Sequence, residues 1–403
     1  MKFSKLSQLF LVSVIGLVVA TLLTACQIVT IDYVFVANSA GSGASSAGQI
    51  QTYDADSESG ALRTGQPTVP SGGSNPVAMA VTSDYANLYV ANAGNSSVVH
   101  FALDGNGVLT QKDTVTASST PVSIAVNAAG TYLYVASGTT SATLTAYPLA
   151  SGTLGSASAP VPLTVPGFAG DTIIPTAVTA LANNNAVYVT AYDKSAYNPG
   201  GTTSSTANPG WIFGFTIGSG GALTPTLGSP YKAGVKPSAI AADPTSRFVY
   251  ATDFASNHMI GYTIQSGSVL NFLINGPFRT GNEPSAIAID PRGKYIYVAN
   301  ALDSSVSAYV IDLPTGTPSG SANVTGSSIN STDTQPVSIL VDAALGRFVY
   351  TANHLGDSIS GFRLDTDTGA MSFTQATPYP TGANPTAIVS VPHGNHAIQT
   401  TTP

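Results

Sequence analysis

The chain has 403 residues, of which 43% are hydrophobic and only 8% are charged, and its formal net charge is -7. A typical globular domain carries about 25% charged residues. An acidic balance without a basic cluster argues against nucleic acid as a partner. The unusual composition could suggest a disordered chain, but regular apolar strands recur along the sequence and argue against disorder.

Residues 1–26 have the pattern of a secretory leader. Lys2 and Lys5 form a positive start, and an apolar run over 9–23 is short for a membrane span. The run ends in Leu23-Thr24-Ala25-Cys26, which resembles the lipobox of bacterial lipoproteins, where the cysteine is lipidated and becomes the mature N-terminus. Cys26 is the only cysteine, so no disulfide within the chain is expected. The alternative is an ordinary signal peptide with a chance cysteine.

Residues 27–32 form a short tether between that anchor and the first strand. Six extended residues reach roughly 20 Å, so we expect the folded part to lie close to the membrane. The expected location is the bacterial cell envelope, with a lipid anchor in the outer membrane and the protein either periplasmic or exposed at the surface.

A repeating unit occupies residues 33–392. Its first strand begins at a proline, and the tyrosine of a second strand, Tyr-Val-Ala-Asn in its clearest form, follows thirteen or fourteen residues later. The unit over 283–312 shows three short apolar runs separated by turn residues. Unit spacings of 45 to 62 residues are typical of propeller blades. The prolines are Pro76, Pro121, Pro175, Pro237, Pro284, Pro336 and Pro385.

The two ends of the repeat predict how the molecule closes. The first unit starts with a second strand at Tyr33, and the chain finishes with a first strand at 384–391 that has no second strand after it. The last strand would therefore complete the first blade. We predict an all-β, monomeric, seven-bladed β-propeller with four-stranded antiparallel blades. Residues 393–403 would be a polar tail.

Several motifs that suggest metal binding have a simpler structural interpretation. Asp54–Gly60 and Asp365–Gly369 resemble calcium loops, but both lie where a third strand turns into a fourth. Gly107, Gly221 and Gly316 take similar hairpin positions that require a positive φ. His393 and His396 lie in the polar tail. We therefore predict no metal and no cofactor.

Departures from the repeat indicate a candidate site better than the repeat itself does. The face that carries the ends of the second strands and the starts of the first strands is here called the top face. Five departures map to loops of this face near the channel mouth, a common place for a ligand. They are Lys236 and Glu283 before the blade prolines, Asp253 in place of a turn Asn, His258 in the next loop, and His354 after Asn353. A long loop over 192–210, with Tyr197, Pro199 and Trp211, is either a lid or a solvated insertion.

Other second strands end in a shared polar residue. Asn38, Asn92, Asn300 and Asn353 hold this position, and recurrence in several blades indicates that the side chain caps a turn. We nevertheless include Asn300, Asn353 and Asp303 among the expected ligand contacts of the top face.

The repeat Pro-x-x-Ile-Ala-x-Asp-Pro-x-Gly-x-x-x-Tyr-Val-Ala-Asn, as in 284–300, resembles the YVTN-type repeats of the seven-bladed lactonase-like family that includes bacterial 6-phosphogluconolactonases. The similarity spans 33–391 and implies a propeller and lactone hydrolysis. Members of the family commonly carry Arg-His after the blade proline and Glu after the second-strand Asn. Here those places hold Ser238-Ala239, Ser285-Ala286, Val337-Ser338, Phe254, Ala301 and His354.

Two functions remain open at this stage. A lactonase needs a base to activate water and donors for the oxyanion. His354 would be the base, Glu283 or Asp303 its orienting group, and Lys236 the oxyanion partner. The preferred prediction is a lipid-anchored protein that binds a glycan, small molecule or protein over its top face through Asp253, His258, Asn300, Asp303 and Asn353. A purely structural surface protein would have no pocket.

Overall fold

The computed structural model describes residues 29–39, 47–167, 170, 172–197, 209–320 and 329–394. Cys26 and the leader, residues 27 and 28 of the tether, residues 198–208 of the long loop and the tail beyond 394 lie outside these ranges. Regular structure in the described residues is β-sheet, apart from two short 3-10 turns at Ser219–Gly221 and Ser266–Ser268. No helix in these ranges is long and apolar enough to cross a membrane.

The strands form seven antiparallel sheets, which are the blades of a propeller. Blade 1 contains β1 (Thr30–Asn38), β2 (Ala47–Asp56) and β3 (Leu62–Ser74). Blade 2 contains β4 (Pro76–Val81), β5 (Asn87–Asn92), β6 (Ser97–Leu103) and β7 (Leu109–Thr116). Blade 3 contains β8 (Pro121–Val126), β9 (Tyr132–Ser137), β10 (Thr143–Ala150), β11 (Thr153–Leu154) and β12 (Val161–Pro162). Blade 4 contains β13 (Ile173–Ala180), β14 (Ala186–Asp193), β15 (Gly210–Ile217), β16 (Leu223–Pro225) and β17 (Tyr231–Lys232).

The remaining blades follow the same order. Blade 5 contains β18 (Pro237–Ala242), β19 (Phe248–Asp253), β20 (His258–Gln265), β21 (Val269–Phe272) and β22 (Phe278–Arg279). Blade 6 contains β23 (Pro284–Ile289), β24 (Tyr295–Asn300), β25 (Ser305–Ile311), β26 (Pro318–Gly320) and β27 (Ile329–Ser331). Blade 7 contains β28 (Pro336–Val341), β29 (Phe348–Asn353), β30 (Ser358–Leu364), β31 (Met371–Phe373) and β32 (Tyr379–Pro380), and β33 (Pro385–Pro392) returns to blade 1.

The last strand closes the ring as the sequence predicts. β33 pairs antiparallel with β1, from Asp32 opposite Pro392 to Asn38 opposite Pro385. The inner strands contact one another around the axis, and β33 lies between β28 and β4. Closure leaves no inner sheet edge open to another chain. The predicted seven-bladed, all-β architecture is confirmed.

The turn between the first and second strands is formed by an acidic or polar side chain. In blade 6, Asp290 Oδ1 accepts hydrogen bonds from the amides of Lys294 (2.6 Å) and Tyr295 (2.9 Å). Asp243 does the same for Arg247 and Phe248 in blade 5. Aspartate is favoured here because its carboxylate satisfies amides that the turn leaves without a backbone partner. The result is a rigid hairpin of fixed length.

Second-strand tyrosines link five of the blades to the next blade, whereas the hydroxyl of Tyr134 in blade 3 is buried without a hydrogen-bond partner among the described residues. Tyr250 is fully buried and its hydroxyl donates to the carbonyl of Gly316 at 2.6 Å. Tyr89, Tyr188 and Tyr297 make the corresponding bonds to Gly152, Ser268 and Gly369, and Tyr350 to Gly60. Because the tyrosine must reach an outer turn of the neighbouring blade, its spacing from the blade proline is nearly constant.

The glycines of those outer turns behave as the sequence indicates. Gly107, Gly221, Gly316 and Gly369 all have φ between 72° and 76°. A Cβ at Gly316 would lie 2.3 Å from the ring of Phe248, so the close packing against the preceding blade also requires glycine. The Asp365 side chain caps its own turn by accepting from the amides of Asp367 and Thr368. No group of three or more potential metal ligands occurs within the described ranges.

Candidate functional site

Lys236 lies beside the channel mouth, because it directly precedes the inner strand β18 on the top face. Its ammonium nitrogen lies over three aromatic rings, at 4.6 Å from the centroid of Phe254, 4.9 Å from Tyr197 and 5.5 Å from Tyr192. Contacts of this kind between an ammonium group and ring faces are cation–π interactions. Tyr192 and Tyr197 pack edge to face with centroids 5.5 Å apart. We call these four residues the aromatic cluster.

Two acidic residues, Glu283 before blade 6 and Asp253 in blade 5, lie near the aromatic cluster. Burial, followed by the charges of Glu283 and Asp253, raises the pKa of the Tyr197 hydroxyl. Glu283 has a left-handed backbone, with φ of 53°. Its amide donates to Asn257 Oδ1 at 2.9 Å and its carbonyl accepts from Ala301 at 2.9 Å. The top face therefore combines a cation, three aromatic rings and a carboxylate.

Asp253 is buried and fully engaged with its own loop. Its carboxylate accepts from the amides of Val235 at 2.7 Å and Lys236 at 2.9 Å, and from the Ser256 hydroxyl at 2.5 Å. These bonds hold the loop that connects blades 4 and 5, and they fix the backbone position of Lys236. In this geometry Asp253 positions the cluster and has no carboxylate oxygen free of a donor.

Asn300 and Asn353 end their second strands with the same pair of bonds. Asn353 Nδ2 donates to the hydroxyls of Ser358 and Ser360, and Asn300 Nδ2 donates to those of Ser305 and Ser307. The Thr351 hydroxyl donates to Asn353 Oδ1 at 3.0 Å. In blade 6 the residue that corresponds to Thr351 is Val298, which has no hydroxyl. Asn300 Oδ1 is accordingly buried without a hydrogen-bond partner among the described residues.

Asp303 and the two histidines each have local partners. Asp303 accepts from the amide and the side chain of Asn282, at 2.6 and 2.8 Å. His354 Nδ1 lies 3.2 Å from the carbonyl oxygen of Pro385 in the next blade. His258 Nδ1 lies 2.5 Å from the carbonyl of Ser256, and the side chain lines a separate cavity between blades 4 and 5.

The three residues predicted to be catalytic do not contact one another in the described part of the chain. Lys236, Glu283 and His354 share no hydrogen bond there, and the two ion pairs found join His100 to Asp113 and Arg292 to Asp290. A catalytic role for the three therefore stays a prediction.

The inner-strand positions that would carry Arg-His in the lactonase-like family have a structural role here. Ser238 Oγ donates to the carbonyl of Pro284 at 2.5 Å, and Ser285 Oγ donates to that of Pro336 at 2.6 Å. Each hydroxyl thus links its blade to the next around the channel. In both blades the link is made by a short hydroxyl side chain.

Sequence reasoning missed that Tyr192, Phe254 and Tyr197 surround Lys236. Phe254 was visible only as the residue that replaces a family glutamate, and Tyr192 and Tyr197 only as members of a long loop. Their convergence depends on the packing of blade 4 against blade 5. An aromatic residue directly after the turn aspartate was the one available signal.

The fold defines a class, the closed seven-bladed β-propellers. Within that class the chain belongs to the family described as lactonase, 7-bladed beta-propeller, whose family model matches residues 34–170 and 221–328. The predicted resemblance is confirmed. No curated protein sequence matches the chain.

Solved structures agree with this fold at low identity. The periplasmic gluconolactonase of Pseudomonas aeruginosa has a TM-score of 0.71 and 18% identity, covering 90% of this chain and all (100%) of that one. A protein of Bacteroides fragilis described as a candidate 6-phosphogluconolactonase has a TM-score of 0.68 and 19% identity, with coverages of 89% and 98%. At such identity the likeness concerns the fold.

Proposed function

We propose that the protein binds a sugar or sugar-acid ligand on its top face, in a site centred on the aromatic cluster. The observation that carries this proposal is the convergence of Lys236 with Tyr192, Tyr197 and Phe254 beside the channel mouth. Aromatic faces pack against the C–H faces of sugar rings, and an ammonium group attracts a carboxylate or phosphate. Glu283 would accept hydrogen bonds from ligand hydroxyls.

The proposal is tested by titrating the purified full-length protein with D-gluconate in a calorimeter. Lys236→Met keeps the apolar stem but removes the charge, and should weaken binding at least fivefold. Phe254→Ala should weaken it similarly by removing a ring. Lys294→Met serves as the control, because Lys294 is an exposed lysine at the opposite end of a second strand. Equal affinity of Lys236→Met and the wild type would rule out this site.

Lactone hydrolysis is the second candidate function, and membership of the lactonase family favours it. The Pseudomonas aeruginosa structure, named as a periplasmic gluconolactonase, supports the same reaction class. Water would attack the lactone carbonyl while His354 takes a proton from the water, and the protonated histidine would then give that proton to the ring oxygen as the ring C–O bond breaks, which yields the open-chain hydroxy acid. Lys236 would stabilise the oxyanion.

Turnover of D-glucono-1,5-lactone above the spontaneous rate, lost in His354→Ala, would establish hydrolysis. Gluconate binding without turnover would leave the binding function alone. Turnover retained in His354→Ala would exclude this histidine as the base, and the pH dependence of the remaining rate would then identify the group that replaces it.

We further propose that the protein is lipidated at Cys26 and held at the cell envelope. The lipobox-like Leu23-Thr24-Ala25-Cys26 supports this, and a periplasmic protein among the similar structures is consistent with it. Replacing Cys26 by Ala should move the protein from the membrane fraction to the soluble envelope fraction and abolish labelling by an alkyne fatty acid. Persistent labelling would contradict lipidation at Cys26.

A further inference from the structure

Three blades share a bulge in the outer strand, and one of them lacks the polar groups that fill it. The bulge follows the pattern Thr-x-x-Ser/Thr-Pro-Tyr at 226–231 in blade 4 and 374–379 in blade 7. In blade 5 the same positions, 273–278, read Leu-Ile-Asn-Gly-Pro-Phe. All three segments lie between the two parts of the outer strand, next to the third strand.

In blades 4 and 7 hydroxyl groups close the bulge. The Thr377 hydroxyl accepts from the amide of Gly361 at 2.8 Å, and the Ser229 hydroxyl accepts from the amide of Gly214 at 3.0 Å. A second hydrogen bond joins the hydroxyl groups of Thr374 and Tyr379 in blade 7 at 2.8 Å, and the hydroxyl groups of Thr226 and Tyr231 form the same bond in blade 4 at 2.7 Å. Each bulge is therefore filled and hydrogen-bonded internally.

Blade 5 cannot form any of these bonds. Gly276 replaces the Ser or Thr, Leu273 replaces the Thr, and Phe278 replaces the Tyr, so all three hydroxyls are absent. The Gly261 carbonyl still accepts from the Leu273 amide at 2.9 Å, as its counterparts do in the other two blades. Because the N–H and C=O of one strand residue point to the same side, the Gly261 amide is directed at the space that Gly276 leaves.

A cavity of about 450 Å³ occupies this place, within the size range of ligand sites. Its walls are mostly apolar, from Val235, Ile260, Phe272, Leu273 and Pro277. Its polar edge is formed by Lys232, Asp253, Ser256 and His258. The cavity lies between blades 4 and 5 and is distinct from the aromatic cluster, so it does not depend on the function proposed above.

The polar groups of the cavity favour an anionic ligand with an apolar body. The Lys232 ammonium lies 3.7 Å from the centroid of the Trp211 ring and is available at the rim as a cationic donor. The Gly261 amide is a second donor. The Asp253 carboxylate is already saturated by loop donors. His258 Nδ1 donates to the Ser256 carbonyl, so this nitrogen is engaged within its own loop.

We propose that this cavity binds a small aryl or alkyl carboxylate. The apolar body would pack between Leu273, Ile260 and Phe272, and the carboxylate would accept from the Gly261 amide and pair with Lys232. The missing hydroxyls of blade 5 are what make room for it.

Binding of 1-naphthaleneacetate to the purified full-length protein, followed by saturation-transfer NMR, tests the proposal. The neutral 1-naphthaleneethanol should bind at least fivefold more weakly. The triple substitution Leu273→Thr, Gly276→Thr and Phe278→Tyr rebuilds the blade 7 bulge and should weaken binding of the carboxylate at least tenfold. A Cβ at Gly276 would lie 3.3 Å from Phe278 and thus requires only a small adjustment.

Two further variants make the result decisive. Lys232→Met should weaken the binding of 1-naphthaleneacetate fivefold and leave the binding of 1-naphthaleneethanol unchanged. Ser229→Thr keeps the hydroxyl of the blade 4 bulge and should change nothing. If the triple variant does not fold, as judged by circular dichroism, Gly276→Thr alone takes its place. Wild-type protein that binds neither probe, or a folded, filled variant that binds as well as wild type, would overturn the proposal.

Discussion

At the scale of single residues, the turn aspartate Asp253 shows how one substitution in a repeat changes its surroundings. The other blades use Asn, Ser or Ala at this position. A carboxylate can accept several amides at once, and Asp253 does so for Val235 and Lys236. The charge at this position thus serves the loop that carries the candidate ligand-binding lysine.

Asp253→Asn should lower the free energy of unfolding by about 1 to 3 kcal/mol, the cost of leaving buried donors poorly paired. The amide side chain presents an NH2 to at least one donor that the carboxylate now satisfies. Urea denaturation of variant and wild type measures the difference. Unchanged stability together with lost gluconate binding would instead make Asp253 a ligand-contacting group.

Asp32 is a buried carboxyl group whose ionisation opposes folding. Neither of its oxygens has a hydrogen-bond partner among the described residues. Burial and the charge of Asp342 raise its pKa well above the usual value, and the nearby Ala344 amide offsets only part of this rise. Asp342 itself accepts from the amides of Leu345 and Phe348, and burial raises its pKa as well.

The sign of the pH dependence follows from the raised pKa. Between the unfolded pKa, about 3.9, and the higher folded value, the folded state binds more protons than the unfolded state. The free energy of unfolding therefore falls as the pH rises through that window. Asp32→Asn should remove part of this fall, so its stability relative to wild type should increase from pH 4 to pH 7.5. Parallel denaturation profiles for the two proteins would contradict this.

At the scale of strands and blades, hydroxyl side chains at the start of the inner strands connect neighbouring blades. Ser238 and Ser285 each donate to the carbonyl of the next blade proline, and Thr386 of β33 donates to that of Pro76 at 2.8 Å. These bonds lie next to the axis, where they keep the starts of neighbouring inner strands aligned.

Ser285→Ala should therefore cost about 0.5 to 1.5 kcal/mol of unfolding free energy, the net contribution of one hydrogen bond. Ser238→Ala should cost a similar amount. Ser319→Ala, at an exposed position of an outer strand, is the control and should be neutral. Equal stability of all three variants in urea would show that the hydroxyls do not link the blades.

At the scale of the whole molecule, ring closure by β33 determines whether the propeller forms. This strand provides the inner edge of blade 1 and contacts the inner strands of blades 7 and 2. Without it, β1 would expose an apolar edge at a gap in the ring. Such an edge promotes pairing with other chains.

A chain truncated after Asn384 should therefore aggregate or lose its cooperative unfolding transition. A chain truncated after Gly394 keeps all of β33 and should unfold like the full chain. Size-exclusion chromatography and thermal melts followed by circular dichroism compare the two. A soluble, cooperatively unfolding protein that ends at Asn384 would show that closure is dispensable.

The sequence by itself determined the fold. The spacing of thirteen or fourteen residues between a blade proline and a buried tyrosine can be recognised because several blades need the same hairpin, in which Tyr89, Tyr188 or Tyr250 reaches the next blade. The unmatched strands at the two ends determined how the ring closes. These features are local in the chain and are repeated, so that each copy supports the interpretation of the others.

Only the tertiary structure decided which side chains meet. Lys236 lies against Tyr192, Tyr197 and Phe254 because blades 4 and 5 pack side by side, and no spacing along the chain encodes those distances. His258 was expected at the channel mouth, and the structure shows that it lines the cavity between blades. A site depends on single departures from a repeat, and their neighbours in space come from other blades.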